Sequence, residues 1–367
     1  MGLQCGLVGL PNVGKSTIFN ALTKSHGAAA ENFPFCTIDP NVGIVEIPDP
    51  RFKNLCKMIG PKSEVPAAVE FVDIAGLVAG ASKGDGLGNA FLAHIRQVNA
   101  ILHIVRCFDD ENVTHVSGKV SPADDIEVIE LELILADIEQ VEKKIQTLVR
   151  LVKGGDKEAE FQDQVLQKVL PVLKDSKPAI SVDLNEDEIF AIKELALLTL
   201  KPVLFVGNVD EDFIDKPQTS PHYIALEQAA KERGTYVVPI CGKIEAELTQ
   251  LEPEEEQTFL EEFGLTEPGL NRVIREAYTL LGYITFFTAG EKEVRAWNIV
   301  RGALAPQAAG EIHTDLERGF IRAEIVSYDD IVSNDGMKAA KDAGKLRVEG
   351  KDYTVADGDV IYFRFNV

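Results

Sequence analysis

The chain has 367 residues, 45% hydrophobic and 26% charged, which is enough apolar material for two or three packed domains. A formal net charge of -22 excludes a uniformly basic nucleic-acid face, though not a local basic patch. Five scattered cysteines form neither metal-ligand pairs nor a disulfide framework, and no apolar run reaches the roughly 18 residues of a membrane span, so a cytoplasmic protein with no membrane partner is expected.

Residues 3–8 read as a buried strand and residues 17–22 as the opening of a helix. Between them Gly9, Leu10, Pro11, Asn12, Val13, Gly14, Lys15, Ser16 and Thr17 match G-x-x-x-x-G-K-[ST], in the strand–loop–helix frame that this phosphate-binding motif requires. Glycines let backbone N–H groups and a helix N-terminus face a phosphate chain. Lys15 can reach the β- and γ-phosphates, and the Ser16 hydroxyl can bind Mg²⁺.

The prolines of Asn-Phe-Pro-Phe-Cys-Thr-Ile-Asp-Pro, residues 32–40, preclude a helix. Thr37 is either a plain loop hydroxyl or a second Mg²⁺ ligand. Residues 67–72 form a strand ending in Asp73-Ile74-Ala75-Gly76. A carboxylate there is the second anchor of a Mg²⁺ site, and Gly76 lets a backbone N–H approach the γ-phosphate. Residues 77–88 carry four glycines and read as a switch loop that orders around that phosphate. Leu77 stands where many GTPases have the glutamine that orients water, so another group must do this.

Residues 100–108 are a further apolar strand. From 124 to 198 the chain reads as helix. Leu131, Ile134, Ile138, Val141, Ile145, Leu148 and Val152 trace a coiled-coil seam, Gly154-Gly155-Asp156 turns the chain, and Phe161, Val165, Val169 and Val172 face back. Surface helices covering the sheet are the alternative. The length of the stretch favours an inserted antiparallel hairpin.

The sheet resumes at 202–207 and ends in Asn208-Val209-Asp210-Glu211. Compared with the guanine-reading N-K-x-D, the lysine is lost and Glu211 replaces the aspartate. Its carboxylate would reach about one methylene further, which disturbs a bidentate contact to guanine and leans toward adenine. A strand-end loop without base contact is the other reading. A strand at 235–240 leads into Cys241-Gly242-Lys243, where a base-flanking loop is expected. After a helix near 267–281 come short strands at 283–288, 294–300, 320–327 and 360–365, a module of mixed α/β character. Within it His313, Asp315 and Glu317 alternate. They read more readily as a solvated face than as metal ligands.

The P-loop, N-F-P-F-C-T, D-I-A-G-L-V-A-G-A-S-K-G, N-V-D-E, H-T-D-L-E-R-G-F-I-R-A-E and the terminal run 357–367 together resemble the Obg-like ATPases of the YchF type, end to end. The resemblance implies an α/β fold: a P-loop GTPase-like, mostly parallel sheet at 1–282, interrupted by a coiled-coil hairpin at 124–198, and a β-grasp domain of the TGS kind at 283–367. It implies slow hydrolysis of ATP in preference to GTP, a cytoplasmic monomer, and association with the ribosome, on its large subunit, with RNA as a further partner. By resemblance, Ser16 and Thr37 bind Mg²⁺, while Asn208, Val209 and Glu211 read the base. Cys241-Gly242 departs from the Ser-Ala common in GTPases and leaves its base contact to the backbone. His115, by itself a lone loop histidine, would help activate water, and Asn12 would hold an activating K⁺. Two other functions stand beside this one. One is a GTPase with an unusual base loop, and the other is a ribosome- or RNA-binding module in which nucleotide is structural.

Overall fold

The computed structural model describes residues 3–25, 41–74, 86–116 and 118–366. They divide into two compact units. Seven strands lie in the first 240 residues: β1 (Gln4–Val8), β2 (Val42–Glu46), β3 (Ser63–Val65), β4 (Ala68–Asp73), β5 (Ala100–Cys107), β6 (Val203–Val209) and β7 (Val237–Ile240). All but β3 form one sheet in the order β2-β4-β1-β5-β6-β7. β1 runs parallel to both β4 and β5, β5 to β6, and β6 to β7. The chain winds first to one side of β1 and then to the other. The crevice at the carboxyl end of β1 is therefore the topological switch point, where open α/β sheets take their ligands. All eight residues of β5 are buried, as expected of a central strand covered on both faces.

The helices of this unit are α1 (Lys15–Ser25), α3 (Gly86–Gln97), α4 (Pro122–Lys153), α5 (Lys157–Lys174), α6 (Glu186–Ile192), α7 (Pro221–Glu232), α8 (Gly242–Leu248) and α9 (Pro253–Glu262), while α2 (Pro50–Ile59) belongs to the second unit and α10 (Gly269–Leu280) follows α9. The 32 residues of α4 meet two different neighbourhoods. Near its start Ile126 packs with Phe205 of β6 and Leu226 of α7, and further on Ile134, Val141 and Leu148 pack with Val165, Leu166 and Val169 of α5. The expected turn is present. Gly155 takes φ +81°, and the Asp156 side chain accepts from the N–H groups of Glu158 (3.0 Å) and Ala159 (3.1 Å) to cap α5. Three seam positions differ from expectation. Leu131 and Phe161 are exposed, at 45% and 39%, and Leu173 rather than Val172 is buried in the returning helix. The seam loses Leu131 because the first third of α4 lies against the sheet instead of against α5.

The second unit is built on β8 (Tyr283–Ala289), β9 (Glu293–Val300), β10 (Phe320–Ser327), β11 (Arg347–Glu349) and β12 (Asp359–Phe365), with β3 added at the edge, in the order β11-β10-β12-β8-β9-β3. Phe286, Phe320 and Phe363 meet edge to face in its core, against Ala305, Ala308 and Ala309 of α11 (Ala305–Ile312). α2 is fastened to this sheet: Arg51 donates to Asp357 at 2.8 Å and Asn54 to the Tyr328 hydroxyl at 2.9 Å. β3 and β11 each have only three residues, too few for an alternation pattern, and neither was expected. His313 caps the short α12 (Thr314–Arg318), accepting from the Asp315 N–H at 3.1 Å. The alternation seen in the sequence is helical here, and no group of three metal-ligating side chains occurs among the described residues.

Candidate nucleotide-binding site

The loop between β1 and α1 is shaped by glycines that admit no side chain. A Cβ at Gly9 would lie 2.7 Å from the Ile104 carbonyl oxygen, and one at Gly14, where φ is +92°, would lie 2.3 Å from Asn208 Nδ2. Between them Asn12 occupies the left-handed region at φ 64°. Such a conformation is uncommon for a residue other than glycine and concentrates at functional loops. Asn12 Nδ2 donates to the Thr114 carbonyl at 3.1 Å. Val13 is buried, whereas Ser16 and Thr17 at the start of α1 are exposed and keep their hydroxyls accessible.

Lys15 and Asp73, expected to serve the phosphates and the metal, meet in an ion pair. Their elements bring them together: Lys15 opens α1 after β1, and Asp73 ends the adjacent parallel strand β4. Two hard oxygen donors, the Ser16 hydroxyl and the Asp73 carboxylate, therefore serve one end of the sheet. Thr37, Gly76 and Leu77 lie outside the described residues.

On the opposite side Asn208 at the end of β6 is buried. It donates through Nδ2 to the Val13 carbonyl and accepts through Oδ1 from the Gly242 N–H, each at 2.9 Å. Its amide thus staples the P-loop to the start of α8. The Gly242 N–H, expected to face the base, is engaged by the same staple. Val209 is packed in the core, so only its backbone can face a ligand. Glu211 is half-buried, and both of its oxygens accept from Lys243 Nζ, at 3.0 and 3.1 Å. Cys241 is buried at the N-terminus of α8, and burial raises its thiol above the ordinary range.

His115 is buried, with Nε2 3.0 Å from Asp125 Oδ2 in the first turn of α4. Burial raises the Asp125 carboxyl, while the His115 contact pulls it back. Arg106, 2% exposed, shapes the intervening loop by donating to the carbonyls of Phe108 (3.1 Å), Val113 (2.9 Å) and Asp110 (3.4 Å). The sequence reading missed Arg106 and Asp125. The signal for Arg106 was a lone cation inside an otherwise apolar strand. Asp125, ten residues beyond His115, gives no local sign.

A parallel sheet with this loop at its switch point defines a P-loop nucleotide-binding protein. Residues 4–180 match the family described as MMR_HSR1, 50S ribosome-binding GTPase, and residues 283–366 match YchF-GTPase_C, described as a protein of unknown function. The chain is 56% identical to the ribosome-binding ATPase YchF of Bacillus subtilis and 54% identical to that of Escherichia coli O157:H7, over 100% of both chains in each case. It also superimposes on the solved structure of the Schizosaccharomyces pombe YchF GTPase with a TM-score of 0.89 and 38% identity, over 99% of this chain and 98% of that one. The chain belongs to the YchF family.

Proposed function

We propose that this chain is a Mg²⁺-dependent hydrolase that converts ATP to ADP and phosphate and acts as a switch on the ribosome. The observation that carries the reading is the meeting of Lys15 and Asp73 beside the exposed Ser16, at the carboxyl end of β1. ATP entering there would draw Lys15 from Asp73 to its β- and γ-phosphates. The donors fit Mg²⁺, which Ser16 and Asp73 would hold together with Thr37. When bound, the metal neutralises charge on the phosphates. Asn12 is the proposed K⁺ donor, and Gly76 the backbone donor to the γ-phosphate. His115 is proposed to orient the attacking water in place of the missing glutamine.

Preference for ATP rests on Glu211. With Lys243 on its carboxylate, the acceptor that guanine N1 and N2 require is already engaged, whereas adenine presents no such donor pair at that edge. The partner proposed is the large ribosomal subunit, in keeping with the names of the relatives and of the matched family, with RNA as a further contact. Residues 1–282 would form the nucleotide domain, apart from 44–69, which fold with the second unit, with 124–198 its helical insert and 283–367 a TGS-like module, in a cytoplasmic monomer. A GTPase is the second reading, favoured by the description of the Schizosaccharomyces pombe relative. Phosphate release from ATP, with and without ribosomes, tests the proposal. A switch accelerates on the ribosome, and an unchanged rate would leave the nucleotide a structural ligand.

A further inference from the structure

The end of the helical hairpin carries a groove of about 620 Å³ between the last turns of α4, the first turns of α5, and α6. Its floor is apolar, with Leu148 and Ala159 buried. Three large apolar side chains on its walls are left to water: Leu151 at 51%, Phe161 at 39% and Phe190 at 77%. Single exposed apolar residues are ordinary, but three lining one concavity mark a contact surface. The groove is also built firmly. Gln162 donates to the Ala191 carbonyl at 2.6 Å and to Glu194 at 3.1 Å, which ties α5 to the segment containing α6.

The charge on its lining selects among occupants. Asp156, Glu158, Asp187 and Glu194 line it with a single cation, Lys144, a local balance of +1 − 4 = −3. Lys144 is itself paired with Glu194. RNA, with a phosphate at every step, is repelled here, and so is a second copy of this acidic chain. A segment that offers apolar anchors to Phe161 and Phe190 and lysine or arginine to the carboxylates complements both features.

We infer that this groove is a docking site for a cationic, amphipathic segment of a protein partner, and that the hairpin end meets protein rather than nucleic acid. The inference goes beyond the nucleotide chemistry and does not depend on it.

A fluorescent, helix-forming peptide of lysine and leucine, titrated into the full chain and followed by anisotropy, tests this. The Phe190→Ser variant is expected to weaken binding by about tenfold. So is the Glu158→Gln/Asp187→Asn double variant. Glu254→Gln/Glu262→Gln on α9, which makes the same change in net charge, is expected to leave affinity within about twofold. Phe190 is exposed, and unchanged thermal melts would show that its replacement leaves the fold intact. The inference is overturned if the α9 control weakens binding as much as the groove variants do, since the attraction would then be diffuse. It is equally overturned if Phe190→Ser binds like the parent, or if labelled oligouridine alone binds the chain and Phe190→Ser weakens that binding.

Discussion

His115 Nε2 and Asp125 Oδ2 lie 3.0 Å apart in a buried contact. This fastens the loop that touches the P-loop, through Asn12 and Thr114, to the first turn of the 32-residue helix that goes on to form the hairpin. A carboxylate on one ring nitrogen of a histidine fixes its tautomer and aims the other nitrogen. The same bond puts the proposed water-orienting group in mechanical contact with the element that presents the groove. His115→Ala is expected to keep ATP affinity within about twofold while slowing hydrolysis by about 10²-fold, and Asp125→Asn to slow it by a smaller factor in kcat with little effect on KM. Single-turnover phosphate release checks both. Equal rates in His115→Ala and parent would remove His115 from the chemistry.

Lys15→Ala should abolish nucleotide binding or hydrolysis, because no other described side chain at the start of α1 brings a cation to the loop. Calorimetry and phosphate release read this directly, and unchanged turnover would contradict the site.

Asn208→Ala should act on the scaffold. It leaves the Val13 carbonyl and the Gly242 N–H, both in a buried setting, without their partner. A cost of about 2–3 kcal/mol in unfolding free energy is expected, and ATP and GTP should weaken together. Glu211→Asp should instead move base preference toward GTP while stability stays within about 0.5 kcal/mol of the parent. If Asn208→Ala altered preference without loss of stability, the staple would be the wrong description.

Glu245 on α8 supplies a pH dependence. Burial pushes its carboxyl up from 4.5 to about 7, against the pull of the Gly269 and Leu270 N–H groups at the start of α10. The folded state therefore holds the proton more tightly than the unfolded chain. Stability from this group is full below the unfolded value and is lost as pH rises through about 7. Glu245→Gln should be more stable than the parent by a margin that grows between about pH 5 and pH 8, to about 3 kcal/mol at most. Urea unfolding across that range checks it, and a constant margin would contradict the assignment.

Much of this was legible because the signals are local. The P-loop is contiguous, Asp73 sits at a strand end next to it in the sheet, and the hairpin turn is written in Gly154-Gly155-Asp156. What escaped depends on the fold. The two backbone partners of Asn208 could not be read locally, because the parallel register of β6 and β7 is what places the start of α8 beside it. Asp125 became the partner of His115 only through the position at which α4 begins. β3 was invisible because its edge in the second sheet is supplied by β9, more than two hundred residues away in sequence.

The central claim, an adenine-preferring hydrolytic site, is tested most directly by titration calorimetry of ATP and GTP in Mg²⁺ buffer with K⁺ or Na⁺, followed by phosphate release. Tighter binding of ATP, with turnover faster in K⁺, is the expected result and would support the roles given to Glu211 and Asn12. Tighter binding of GTP would contradict it and would mean that Glu211 leaves Lys243 to read guanine.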